Sequence, residues 1–412
     1  MGIPYYVASL IRNHKEIQKR IGSAGLATDI LAIDFNCFIH HALRAENPIG
    51  SVVLALRDLL SSTVHAKHVY IAFDGLVPYA KMVQQRYRRM RSGETGEFDK
   101  HQISPGTPFM RNLADAVRFL FPEAIVSDTL EPGEGEHKIF QWLRTLPADP
   151  QRKVCLYGLD ADLVVIALAQ SHLGDLSLLR ESEEQGATTL SVNALAKVLP
   201  VDKETYIKMC VLCFGNDFMP NLAMFSLREN GYARALYYAT RDDADKDERT
   251  LLMKLSKGEN RHVLAPDAHA LEARMAVHLM DGVLDWEPVC YAFWKTYAWT
   301  YHYFTTSEVL DWDWVYPYPE APLLQTLEDF PRPTDFTWDA PTPTLTVDDQ
   351  LRFILPESSL RRAGLTPVVP DELYDEATES RHPWLRRFAW EADPWVSLPR
   401  GPLTCATEIH PL

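Results

Sequence analysis

No apolar run in this chain approaches the roughly 20 residues that a membrane-crossing helix needs, the longest stretch being Leu163 to Ala169, so no membrane span is predicted. The opening Met-Gly-Ile-Pro-Tyr-Tyr has no secretory hydrophobic region, and Tyr6 stands where a myristoylation signal would need Ser or Thr, so neither export nor a lipid anchor is expected. Cysteine is sparse. Cys37, Cys155, Cys210, Cys213, Cys290 and Cys405 are too dispersed for a disulfide framework and suit a reduced, intracellular setting. Cys210 and Cys213 form a CxxC with no second pair or histidines nearby for zinc; lying in the apolar run Tyr206 to Phe214, they read as a buried helix face. Positive charge is also short. Lys plus Arg number 41 against 56 Asp plus Glu, and the net charge of −15 has the wrong sign for coating nucleic acid nonspecifically. Any nucleic-acid contact must therefore be local. There is no internal repeat, and 46% hydrophobic with 24% charged residues excludes long disorder. At 412 residues the chain should hold two or three core-bearing units.

Short β-rich runs alternate with helical stretches. The runs are 29–33, 68–73, 124–126, 153–157 and 177–180; the helices between them are 52–60, 79–90, 110–119, 137–146 and 163–169. Such βαβ repetition predicts an α/β fold with a parallel sheet flanked by helices over residues 1–225. Residues 226–329 read as helical and aromatic-rich. A connector with prolines at 331, 333, 341 and 343 opens a mixed segment, 330–412, with Trp384, Trp390 and Trp395 to bury.

In a doubly wound sheet the ligand crevice lies beyond the carboxyl ends of the strands, and here those ends carry acids. Asp34 ends Ile-Leu-Ala-Ile-Asp, Asp74 ends Tyr-Ile-Ala-Phe-Asp, and Asp160 and Asp162 follow Leu-Tyr-Gly-Leu. Glu134 and Glu136 sit in Pro-Gly-Glu-Gly-Glu-His-Lys, whose glycines let two carboxylates take one side before a helix begins. Asp217 lies in Gly-Asn-Asp-Phe-Met-Pro. One Asp after a strand is often only a helix cap, but acids at four strand ends, two of them as i, i+2 pairs, are hard to produce with caps alone. Seven carboxylates in one crevice would repel one another unless cations neutralised them. Hard oxygen donors without Cys or His predict two Mg²⁺ ions, replaceable by Mn²⁺, about 4 Å apart, for phosphodiester hydrolysis.

The segment from Pro78 to Arg91 predicts a helix on which Lys81, Gln85, Arg88 and Arg89 share one face, a donor stripe suited to a terminal phosphate beside the acids. A solvated basic surface is the plainer reading of such a stripe. Trp294, Tyr297, Trp299, Tyr301, Tyr303 and Phe304 crowd one stretch; aromatics near such a site can stack bases, although most clusters at helical spacing are core.

These stretches together resemble the XRN-family 5′→3′ exoribonucleases. The likeness is carried in order by Met1-Gly-Ile-Pro, Ile33-Asp-Phe-Asn-Cys-Phe-Ile-His, Ala72 through Arg91, Ser104-Pro-Gly-Thr-Pro-Phe-Met, Pro132-Gly-Glu-Gly-Glu-His-Lys-Ile, Tyr157-Gly-Leu-Asp-Ala-Asp-Leu, Gly215-Asn-Asp-Phe-Met-Pro, Trp312-Asp-Trp-Val-Tyr-Pro-Tyr and Phe388-Ala-Trp-Glu. The resemblance implies a PIN-like, flap-nuclease-like domain with a mostly helical second conserved region packed on it. It implies release of nucleoside 5′-monophosphates from single-stranded RNA bearing a 5′-monophosphate. It also implies that Asp34, Asp74, Glu134, Glu136, Asp160, Asp162 and Asp217 hold metal, that Lys81, Gln85, Arg88 and Arg89 take the 5′-phosphate, and that His40 with Trp299 stacks bases. Tyr79, Ser104 and Pro108 depart from the family pattern, in which a basic residue, Thr and Glu are usual, and the interval from Asp162 to Asp217 is shorter than usual. The expected product is a compact core, of a kind a virus could encode, in the cytoplasm, with nuclear and virion-associated locations left open. Two rivals remain. A flap-type DNA 5′ nuclease shares the acids but resembles its relatives in a glycine-rich helical hairpin after the last metal Asp, which is missing after Asp217; a catalytically inactive RNA-binding relative would have no need to keep all seven acids.

Overall fold

The computed structural model describes residues 2–366 except 4, 93–97, 183–185, 223, 224, 226, 228, 229, 241–250, 252–275, 277–284 and 319. The expected burial of Trp384, Trp390 and Trp395, the Phe388-Ala-Trp-Glu motif, and much of the helical stretch after residue 240 lie outside the described residues.

A seven-stranded sheet has the order β1-β7-β6-β5-β2-β3-β4, with β1 Gln18–Arg20, β2 Leu26–Asp34, β3 Val64–Ala72, β4 Ile125–Ser127, β5 Lys153–Tyr157, β6 Asp175–Ser182 and β7 Gly186–Ser191. The five strands from β6 to β4 are parallel, as the alternation of strand and helix predicts. The sequence reading did not include β1 and β7, which add antiparallel at one edge. The reason is local: Gln-Lys-Arg and Gly-Ala-Thr-Thr-Leu-Ser offer little apolar periodicity, so their pairing is decided by the neighbouring strand.

The centre of the sheet shows why β2 reads as a continuous apolar run. Ile30 and Ala32 enter one core, while Leu31 and Ile33 enter a second core on the opposite face. The second core is closed by helices α1 Phe35–Ala42, α2 Pro48–Asp58 and α3 Pro108–Leu120. The first is closed by α4 Gly135–Thr145, α5 Asp162–Ala169 and α6 Lys203–Cys213, with Cys210 and Cys213 fully buried on α6 as free thiols.

The 20-residue helix α7, Glu287–Thr306, joins that first core through Trp294, Tyr297, Trp299, Tyr303 and Phe304. Burying an aromatic side chain contributes about 2–3 kcal/mol, so this face docks α7 firmly on α5 and α6. Its end is tied down as well: Gln170 Nε2 donates to Ser307 Oγ at 2.8 Å and Gln141 Nε2 to the Ser307 carbonyl at 2.7 Å. Residues 330–345 contain no helix or strand, as their prolines require. Two short helices follow, α8 Val347–Ile354, opened by a Thr346–Asp349 capping box, and α9 Glu357–Arg362. They pack Leu351, Ile354, Leu355 and Leu360 against Val77 and Met82 of the segment that begins the basic helix α10, Tyr79–Ser92. Among the described residues no helix is long and apolar enough to cross a membrane.

Candidate active site

Asp34 and Asp74 stand at the carboxyl ends of the adjacent parallel strands β2 and β3, and Asp160 follows β5 on the other side of β2. The parallel register thus brings three acids distant in sequence to one edge. Asp34 also caps α1, its Oδ1 accepting from the Cys37 amide at 3.4 Å. Asp74 is held from two sides. Asn36 Nδ2 donates to Asp74 Oδ2 at 2.9 Å while Asn36 Oδ1 accepts from the Asp74 amide at 3.1 Å, and the Gly135 amide donates to Asp74 Oδ1 at 2.7 Å. Neither Asn36 nor the Gly135 amide was singled out from sequence, because the first pairing joins the start of α1 to the loop after β3 and the second uses the backbone.

Glu134 precedes α4 and Glu136 lies in its first turn, both buried, as the Gly-Glu-Gly-Glu spacing predicts. Position 135 tolerates only glycine: a Cβ there would lie 2.8 Å from Asp34 Oδ1 and 2.9 Å from the Ala72 carbonyl. Asp162 begins α5, and Asp217 is the most buried acid of the set at 1% exposure.

Helix α10 turns its donor stripe to these acids. A cavity of about 380 Å³ is lined by Asp34, Asp74, Glu134, Glu136 and Asp160 together with His40, Lys81, Gln85, Arg88 and Arg89. Lys81 is buried, its ammonium bonded to Glu134 and, at 2.8 Å, to Asp217. Gln84 Nε2 lies 3.4 Å from the other Asp217 oxygen. Arg89 Nη2 donates to Ser104 Oγ at 2.8 Å. Burial and then the like charge of Arg88 lower its affinity for the proton, yet a guanidinium keeps its charge at neutral pH.

The electrostatics are those of a crowded acid site. Burial, followed by Asp74 and Asp160, holds the Asp34 carboxyl well above the carboxylate range; burial, followed by Asp162 and Glu134, does the same to Glu136. Burial with Asp160 and Asp217 pushes Asp162 up to about 7. Asp160 goes the other way, because the chain's amino terminus and Lys81 outweigh its burial. Burial disfavours the Lys81 ammonium, but Asp217, Glu134, Glu136 and Asp162 more than compensate and raise it well above the usual lysine value.

The carboxylates suit divalent cations by chemistry: they are hard oxygen donors, and Glu136 Oε2 and Asp162 Oδ1 are buried without a hydrogen-bond partner. Among the described residues no three acids, histidines or cysteines yet converge on one point at ligating distance. Glu134 and Asp217 close on the Lys81 ammonium.

Gly2 enters the site with φ +48°, and a Cβ there would lie 2.2 Å from Asp162 Oδ1. Gly2→Ala is therefore expected to combine backbone strain of about 1–3 kcal/mol with displacement of Asp162. Thermal unfolding of the variant checks this; an unchanged midpoint would show that the amino-terminal segment does not press on Asp162.

The aromatic helix contributes in a way the sequence reading missed. Tyr303 OH donates to Glu134 Oε1 at 3.0 Å, and the His137 ring stacks on Tyr303 at 3.6 Å between centroids, beneath the two glutamates. Tyr303 follows Trp299 by four residues on the same face, the signal that marked it as core. Its hydroxyl is what reaches the site.

The base-stacking expectation divides. His40 lies at the cavity mouth with an exposed face, and surrounding protein, then Arg88, Arg89 and Lys100, push its imidazole down to about 4. Trp299 is 1% exposed, with Nε1 donating to the Asp311 carbonyl at 2.8 Å and its ring packed on Phe218 and Tyr303.

Residues 1–97 and 92–182 match the family described as XRN 5′-3′ exonuclease N-terminus. The 5′-3′ exoribonuclease 2 of Saccharomyces cerevisiae is 29% identical over 301 aligned residues, covering 49% of this chain and 30% of that protein. The Debaryomyces hansenii protein of the same name is 32% identical over 343, covering 56% and 34%. The chain thus spans about a third of the length of these relatives. Among solved structures, the catalytic core of Rad2 in complex with DNA substrate aligns with TM-score 0.45 and 15% identity over 89% of this chain and 97% of that one. Through its matched amino-terminal residues, less than half of the chain, and through these relatives, the protein is similar to the XRN 5′-3′ exonuclease family.

Proposed function

We propose that the chain is a 5′→3′ exoribonuclease that hydrolyses single-stranded RNA bearing a 5′-monophosphate and releases nucleoside 5′-monophosphates. The observation that carries this reading is the shared cavity, where one wall of carboxylates faces one wall of phosphate donors within about 380 Å³. Arg88 and Arg89, with Gln85, would take the terminal phosphate as charge-assisted donors, and this stripe would admit a monophosphate while sterically excluding a cap or triphosphate. His40 at the mouth would stack the first base. Asp34, Asp74, Glu134, Glu136, Asp160, Asp162 and Asp217 would hold Mg²⁺ or Mn²⁺, which when bound supplies an activated water and stabilises the leaving oxygen. Asn36, the Gly135 amide and Tyr303 orient Asp74 and Glu134 for that task, while Lys81 balances Glu134 and Asp217. The family relationship supports the reading through the relatives' printed activity.

The test is a comparison of end-labelled single-stranded RNAs of one sequence carrying 5′-monophosphate, 5′-triphosphate or 5′-hydroxyl, with matched DNA, in Mg²⁺ and in Mn²⁺. Mononucleotides should appear mainly from the 5′-monophosphate RNA and vanish with Asp160→Ala. Equal degradation of the triphosphate RNA sinks the pocket assignment, cleavage of branched DNA instead moves the chain to the flap-nuclease class, and no cleavage at all leaves an RNA binder.

A further inference from the structure

We propose that Ser359 and His101 are positioning residues for Arg89, a relay by which helix α9 at the far side of α10 sets the orientation of the phosphate-binding guanidinium; the inference rests on the phosphate-pocket reading above. Loop 99–104 joins the two ends of this relay. Ser359 Oγ donates to Asp99 Oδ2 at 3.2 Å, and its other contact is His101 Nδ1 at 2.9 Å. A hydroxyl has one proton, so Ser359 accepts from His101 Nδ1–H, which also faces Asp99 Oδ1 at 3.3 Å.

The same arithmetic applies at the other end. Ser104 Oγ donates to the His101 carbonyl at 2.7 Å and is thereby left with only lone pairs toward Arg89, whose Nη2 donates to it at 2.8 Å. The direction of every bond is then determined: Arg89 to Ser104, Ser104 to the His101 carbonyl, His101 to Ser359, Ser359 to Asp99. Asp99 closes the loop on itself by accepting from the His101 amide at 3.0 Å. All four side chains from Arg89 to Ser359 are at most 8% exposed, so water cannot easily replace a lost member. A guanidinium presents donors in a rigid fork, and fixing one edge on Ser104 fixes the direction in which the remaining donors face the cavity.

The experiment uses the full chain with Ser359→Ala and Ser359→Thr, reading kcat and KM on the 5′-monophosphate and 5′-hydroxyl RNAs alongside thermal unfolding. Ser359→Ala should lower the preference for 5′-monophosphate roughly tenfold, mostly through KM, the size expected when one hydrogen bond to a charged group loses its orientation. Ser359→Thr, which keeps the hydroxyl, should restore it. Proportional loss on both RNAs, or an unchanged preference, overturns the relay. A second readout does not depend on RNA: the guanidinium nitrogen signals of Arg89, assigned by their loss in Arg89→Lys, should broaden in Ser359→Ala. If the wild-type chain shows no 5′-monophosphate preference, the pocket reading fails, and these signals alone decide whether Ser359 orients Arg89; their staying sharp overturns the relay.

Discussion

Lys81→Met is expected to destabilise the protein by about 3–5 kcal/mol at neutral pH, the cost of leaving buried charge without its partner. Lys81 is 7% exposed, and its ammonium is the cation on which Glu134 and Asp217 both close. Methionine fills the space but leaves the two carboxylates facing each other. The loss should depend on pH. Without Lys81 the carboxylates gain protons more readily in the folded state, so the deficit should be largest above pH 7 and shrink as the pH falls toward 4 and the acids become neutral. Urea unfolding of both proteins at pH 5 and pH 8 checks this. Equal deficits at the two values would mean that Lys81 contributes packing alone.

Asp162→Asn should do the opposite to stability while removing activity. Asp162 holds its carboxyl at about 7 in the folded chain, through burial first and Asp160 and Asp217 after it. The folded value lies above the unfolded one, so the favourable contribution is fully present below pH 4 and is lost as the pH rises through about 7. Above that, the folded chain carries an anion it would rather not hold. The amide has no such cost, so the variant without divalent cation should be more stable than the parent at pH 8 by on the order of 2–4 kcal/mol, with the difference vanishing near pH 4. Activity should fall roughly a hundredfold or more, because a neutral amide is a poorer ligand for a hard cation. Mn²⁺ or Mg²⁺ at pH 8 should raise the parent's unfolding temperature more than the variant's, since a ligand held only by the folded state stabilises it by about 2.7 kcal/mol at a hundredfold excess over Kd. A variant no more stable than the parent at pH 8 would show that the acids do not strain the folded chain.

Together the two substitutions describe one balance. The site gathers more negative charge than the fold tolerates alone, and Lys81 supplies part of the compensation from within. Cations drawn to the remaining acids would supply the rest. This accounts for Glu136 Oε2 and Asp162 Oδ1, both buried and without hydrogen-bond partners, the former in the cavity lined also by Lys81, Gln85, Arg88 and Arg89.

The acids, the basic helix and the parallel strands were legible in the chain because each obeys a local period. Strands buried on both faces read as apolar runs, their ends carry the acids, and a helix repeats its face every three to four residues. Local order therefore determined that Lys81, Gln85, Arg88 and Arg89 share a side and that Glu134 and Glu136 flank a helix start. Long-range register decided the rest. That Asn36 clasps Asp74, that Tyr303 reaches Glu134 across 169 residues, and that Ser359 meets His101 across 258 depend on which elements become neighbours, which no local period encodes. The same reason applies to Trp299: helical spacing favours core for it, and the packing of its ring against Phe218 buries it. Side-chain chemistry and spacing determined which groups this protein brings to its site, and tertiary packing decided which of them face the cavity and which hold the others in place.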